Sequence, residues 1–88
     1  MDEPRYKVVF APAALRSLRK LDHQAAKRIK AATEELAKNP RPHNLKNVLS
    51  MPGVFRIRID AYRVLYTIDD ANLIVLIVDA GHRKNIYS

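Results

Sequence analysis

Hydrophobic and polar positions change rhythm along the chain, and each change marks an element. Tyr6, Val8 and Phe10 fall on one parity of a short β-favouring run, and Pro12 follows where a first helical turn tolerates proline best. The opening therefore reads as strand, then helix. From Pro12 to Leu21, Leu15, Leu18 and Leu21 recur at helical spacing while Arg16, Arg19 and Lys20 occupy other angles. Asp22 is placed to cap a second helix, in which Ala25, Ile29, Ala32 and Leu36 form one stripe ending near Asn39 and Pro40. Residues 39 to 53 hold Pro40, Pro42, Pro52 and Gly53 and read as a connection, with Leu45, Val48 and Leu49 as anchors to the core.

After Val54 the rhythm becomes extended. Val54 to Ile59 alternates Phe55, Ile57 and Ile59 with Arg56 and Arg58, giving one greasy face and one cationic face. Tyr62 to Ile68 begins only two residues later, so a tight hairpin around Asp60 and Ala61 is the economical link. Placing Ile59 opposite Tyr62 sets Arg58 against Arg63, Ile57 against Val64 and Arg56 against Leu65, which keeps every inside and outside assignment. Asp-Ala is not a favoured two-residue turn, so a loop one residue wider is the alternative. Leu73 to Asp79 is continuously apolar at its start, which predicts cover on both faces and a central place in the sheet. The expected fold is α+β, with order β-α-α-β-β-β: a mainly antiparallel four-stranded sheet on an N-terminal two-helix hairpin. Its core would set Tyr6, Val8, Phe10, Ile57, Val64 and Ile77 against Leu18, Ile29 and Leu36.

Composition narrows the class. Eighty-eight residues with no cysteine make one domain, 1 to 88, able to bury roughly 64% of its extended surface without disulfide staples. The three histidines, His23, His43 and His82, are too scattered to suggest a metal site, so no metal or other cofactor is expected. The longest apolar run, Leu73 to Val78, is far short of a membrane span, and Asp2 and Glu3 at the start are unlike a secretory signal. A cytoplasmic protein without a membrane partner is expected. Sixteen Lys and Arg against nine Asp and Glu leave +7, a surface that attracts nucleic acid, acidic protein or anionic lipid.

Charge placement is more informative than charge. Arg56, Arg58 and Arg63 share a rigid sheet face even though like charges opposed across a hairpin destabilise it. Three guanidinium forks on such a face suit phosphate, and a phosphodiester passing through a pentavalent state needs that charge at fixed distances. A solvated edge strand that uses basic residues against aggregation is the alternative. The tail adds His82, Arg83 and Tyr87. Cleavage of RNA without metal needs a base for the ribose 2′-proton, cations for the phosphate and an acid for the leaving 5′-oxygen. Cations lower a phenol's pKa, which makes Tyr87 a candidate base, and an imidazole's ordinary range suits a general acid, which makes His82 a candidate for that role. A terminal packing tyrosine and an incidental turn histidine are the plain readings of the same residues.

Leu45-Lys46, Pro52-Gly53-Val54-Phe55-Arg56-Ile57-Arg58, Tyr62-Arg63-Val64-Leu65-Tyr66 and Gly81-His82-Arg83 through Tyr87 together resemble the RelE/ParE toxin superfamily, with the RelE branch the closer. The resemblance covers nearly the whole chain. It implies the toxin of a type II toxin–antitoxin system: a metal-independent, ribosome-dependent endoribonuclease that cuts messenger RNA in the decoding site and is restrained by a cognate antitoxin. It also implies that Arg56 and Arg58 occupy the two basic positions of the second strand, often lysines in that branch, and that Arg63 and Arg83 match its later arginines. Tyr87 would act in 2′-hydroxyl activation, while His82 stands where another basic residue occurs. Lys46, Lys27, Arg28 and Lys30 are candidate ribosomal RNA contacts, with a solvated surface as the alternative. A gyrase-directed ParE-like toxin and a non-catalytic nucleic-acid or protein-binding domain are the competing functions.

Overall fold

A computed structural model describes residues 5–82. Strand β1 (Lys7–Phe10) leads into α1 (Pro12–Arg19) and α2 (His23–Lys38), followed by β2 (Lys46–Asn47), β3 (Phe55–Ile59), β4 (Tyr62–Asp69) and β5 (Ile74–His82). The sheet order is β1-β5-β4-β3-β2; β1 runs parallel to β5 and every other pair is antiparallel. This is the expected α+β hairpin-on-sheet architecture with one strand more. The addition is β2, two residues inside the stretch read as a connection, where Lys46 pairs with Arg56 and Asn47 with Phe55.

Local chemistry accounts for the helices. Pro12 sits in the first turn of α1, where its missing N–H costs nothing. The Asp22 carboxylate caps α2 by accepting the Ala25 N–H at 2.9 Å. Ala14 and Leu18 of α1 and Ile29 and Leu36 of α2 then pack on Ile57, Val64, Tyr66, Val75, Ile77 and Ala80 of the sheet. Leu15 is a departure from the helical stripe: it is 41% exposed, because the face of α1 seated on the sheet is centred on Ala14 and Leu18. Tyr66 is fully buried, and its hydroxyl donates to the Pro40 carbonyl at 2.8 Å, so burial pushes the phenol up to about 12. That bond fastens the connection after α2 onto the middle strand.

The opposite sheet face has its own small cluster, in which Val48 and Leu65 are buried with Met51, Val54 and Val78 around them. Leu45 packs on the main core and Val48 on this second one, as anchors should, but Leu49 is 94% exposed and anchors nothing. It lies in the turn between Val48 and Met51, where the chain reverses away from both clusters. Met51 to Val54 closes a second turn, with Val54 N–H donating to the Met51 carbonyl at 3.0 Å and Gly53 at φ 83°. Pro then Gly with a positive φ at the second position is a type II turn.

Tyr6, Arg41 and Asp70 clasp the start of β1, the connection after α2 and the β4–β5 turn. Tyr6 donates to Asp70 Oδ1 at 2.6 Å, and Arg41 donates to both carboxylate oxygens at 3.1 and 2.9 Å. The bonds from Arg41, then Tyr6, hold the Asp70 carboxyl down at about 2. A carboxyl depressed on folding stabilises the protein fully above its unfolded pKa of about 3.9 and loses that contribution as pH falls toward the folded value. Between about pH 4 and pH 2, therefore, D70N should lose less stability than the parent. Asp69 is also lowered, by bonds from Asn72, so the parent-minus-variant difference in urea midpoint across that window isolates Asp70. Identical acid slopes would refute the clasp's contribution.

Candidate functional site

Strand pairing fixes which side chains share a face. The β3–β4 register is Ile59 with Tyr62, Arg58 with Arg63, Ile57 with Val64 and Arg56 with Leu65, as the alternation requires. The turn has the two residues expected, and Asp60 takes the left-handed conformation at φ 55°. Asp tolerates that region better than most residues, and its carboxylate forms an ion pair with Arg28 of α2.

Residues directly opposite across antiparallel strands lie on one face. Lys46, Arg56 and Leu65 therefore form one row across β2, β3 and β4, and Arg58, Arg63 and Gly81 form the next across β3, β4 and β5. Both rows lie on the side away from the helices, since the alternate residues Ile57, Val64 and Ala80 belong to the helix-covered core. The result is a cationic patch of Lys46, Arg56, Arg58 and Arg63, bordered by the apolar cluster of Val48, Met51, Val54, Leu65 and Val78. Arg56 and Arg63 are half-buried and Arg58 is exposed. The partial burial matters because charge in a less solvated setting acts more strongly on a bound anion. Asn44 donates to the Arg58 carbonyl at 3.2 Å, which continues the edge beyond the short β2.

The sequence offers Lys46 as a ribosomal RNA contact alongside Lys27, Arg28 and Lys30, yet the fold separates them. Lys46 joins the arginine rows through β2, whereas Lys27, Arg28 and Lys30 are exposed on α2, in the layer on the other side of the sheet. A two-residue strand leaves too little periodicity to show in sequence, so only the basic character of Lys46 could have flagged it.

His82 is placed differently from what an acid beside the arginines needs. It pairs with Tyr62, whose ring packs toward the helical core, and the two rings meet edge to face at 5.7 Å. His82 also lines a cavity of about 170 Å³ with Ser17, Lys20, Leu21, Asp79, Ala80 and Gly81 at the end of α1. The physical reason is strand parity: with Gly81 opposite Arg63, the next residue must point to the opposite side. Strand β5 runs on to His82 rather than stopping at Asp79, which is why this position behaves as a strand residue and not as a loose tail. Arg83 and Tyr87 lie outside the described residues. Among the described residues there is no group of three or more His, Asp or Glu side chains able to hold a metal ion, and no helix long and apolar enough to cross a membrane.

Comparison with known proteins agrees with this geometry. Residues 8–87 match the family described as the ParE toxin of the type II toxin–antitoxin system parDE. The putative toxin RelE4 of Methanocaldococcus jannaschii is 33% identical over 87 residues, covering 93% of this chain and 90% of its own. Toxin RelG of Mycobacterium tuberculosis is 34% identical over 83 residues, covering 93% and 95%. In three dimensions the chain is similar to a chain of the RelBE2 toxin–antitoxin complex of M. tuberculosis, with a TM-score of 0.76, 32% identity, and coverage of 90% of this chain and 99% of that one. With a family match over nearly its whole length, and relatives above 30% identity covering almost all of it, the chain belongs to the RelE/ParE superfamily of type II toxins.

Proposed function

We propose that this toxin is a ribosome-dependent endoribonuclease acting on messenger RNA in the cytoplasm, restrained by a cognate protein antitoxin. The observation that carries the reading is the patch of Lys46, Arg56, Arg58 and Arg63 on adjacent strands of one sheet face. Its charge suits the dianionic phosphorane formed when a ribose 2′-oxygen attacks the adjacent phosphorus. In that step the P–O2′ bond forms and the P–O5′ bond breaks, leaving a 2′,3′-cyclic phosphate and a 5′-hydroxyl. Arg56, Arg58 and Arg63 hold the phosphate oxygens; a guanidinium supplies charge, not a base. Tyr87 takes the 2′-proton and Arg83 adds charge from the tail. His82, turned toward Tyr62 and the helices, is assigned no proton transfer, and the leaving oxygen takes its proton from water. Lys27, Arg28 and Lys30, on the helical side, are contacts to ribosomal RNA that set affinity rather than the chemical step. The antitoxin partnership is supported by the likeness to toxins solved in complex with their antitoxins.

The family described for residues 8–87 is named for ParE, so a gyrase-directed toxin is the second reading. One experiment separates them. RNA ends are mapped after adding the protein to purified translation reactions with and without ribosomes, alongside a DNA supercoiling assay. Cuts at codons in the decoding site, only with ribosomes and with cyclic phosphate ends, are expected. Inhibited supercoiling without RNA cuts would overturn the proposal in favour of gyrase, and neither effect would leave a binding domain.

A further inference from the structure

Strand β5 carries a β-bulge whose position decides what the end of the sheet presents to the arginines. Tyr66 pairs with Ile77 but Leu65 pairs with Asp79, so Val78 is the extra residue. Val78 packs in the outer cluster and Ala80 is buried in the main core, while Asp79, opposite Leu65, bonds Ser17 of α1 through its carboxylate. Val78 and Asp79 thus stand against the single residue Leu65, the two-against-one count of a bulge. Unbroken alternation from Ile77 would instead place Asp79 opposite Val64 in the core and Ala80 opposite Arg63. Because of the bulge, Ala80 fills the core, Gly81 faces Arg63 and His82 faces Tyr62.

One side chain holds this arrangement. Asp79 Oδ1 accepts the Ser17 hydroxyl at 2.6 Å and the Ala80 N–H at 2.8 Å, tying the bulge both to α1 and to the residue that follows it. We infer that Asp79, with Ser17, is a register lock and a positioning residue: it sets Gly81 against Arg63 and His82 against Tyr62 at the end of β5. For its activity readout the inference rests on the cleavage reading above, but its structural readout does not. No charged group needs to approach substrate for this role, and Asp79 acts only through β5. The neighbouring Gly81 adds no side chain between Arg63 and the outer surface, and a Cβ there would meet no described atom within 4 Å.

The test uses D79A, S17A, the conservative D79N and the double variant S17A/D79A. Backbone nuclear Overhauser contacts between β4 and β5 report register, and amide exchange at Ala80 to His82 reports the ladder. In D79A the Arg63–Gly81 cross-strand contact is expected to be lost or displaced and exchange at these amides to rise at least about tenfold. S17A, which leaves β5 untouched, should raise the same exchange rates. D79N keeps both acceptor roles and should restore register. Ribosome-dependent cleavage should fall about 10- to 100-fold in kcat for D79A, with ribosome affinity changed less than about threefold, as expected for misplacement of a reacting group by an ångström. The double variant should be no worse than D79A alone, since D79A already removes the Ser17 bond that S17A removes. Retention of the Arg63–Gly81 contact and parental exchange in both D79A and S17A would overturn the lock whatever the activity. A displaced register with cleavage at the parental rate would overturn the positioning role. A parent that does not cut RNA would defeat the proposed function alone, and the register measurement would still decide the lock.

Discussion

R58A should lower ribosome-dependent cleavage by about 10²- to 10³-fold, the usual effect of removing one preorganised group that stabilises a transition-state anion. The same substitution should leave stability unchanged or raise it by about 0.2–1 kcal/mol, because Arg58 faces Arg63 directly and like charges so placed repel. Opposite signs for activity and stability are the signature of charge kept for function at the fold's expense. If Arg58 only blunted a sheet edge, R58A would preserve cleavage and promote self-association, and that outcome would remove the arginine clamp from the mechanism. R58K keeps the charge but loses the planar fork, so it should fall between the two. R16A, on the exposed surface of α1, supplies the control for generic loss of positive charge. Single-turnover cleavage with saturating ribosomes, paired with a urea titration, measures both quantities.

I29A should destabilise the protein by about 2–5 kcal/mol, the range for truncating a buried branched side chain. Ile29 is fully buried where α2 meets the sheet, and a domain of this size holds only about 4–13 kcal/mol in total. A fall of roughly 10–30 °C in melting temperature follows from the entropy of unfolding of a small domain. L49A is the contrast: the residue is almost wholly exposed, so its removal should change stability by no more than about 0.5 kcal/mol. Thermal melts of the two variants test the assignment, and a loss below 1 kcal/mol for I29A would mean that α2 is not seated as described.

Those two residues also show how far a sequence can be read. The stripe through Ile29 and Leu36 was legible because sixteen residues of helix repeat the pattern several times. The hairpin register was legible because any one-residue slip would have turned Arg56 and Arg58 into the core. The exposure of Leu15 and Leu49 was not legible because hydrophobicity alone does not say which side of a short element meets the sheet. The place of Lys46 was hidden by the two-residue length of β2. The side on which His82 stands was hidden by the bulge, since Ile74 to Ala80 reads as an apolar run with one aspartate and offers no break in period to mark the extra residue. Long periodic elements announce themselves, and single-residue irregularities, where the candidate site is arranged, do not.

The pairing of β1 with β5 has a further consequence for synthesis. Among the described strands, β1 pairs with β5 alone, Lys7 with Ile74 through Phe10 with Ile77, so its strand partner is made about seventy residues later. Gly81, which completes the second row of the cationic face, arrives later still. A nascent chain lacking β5 can form its helical hairpin and the β3–β4 hairpin but cannot close the sheet between them, because long-range pairing has to wait for both strands. A finished cationic face therefore exists only once translation of the whole sheet is complete.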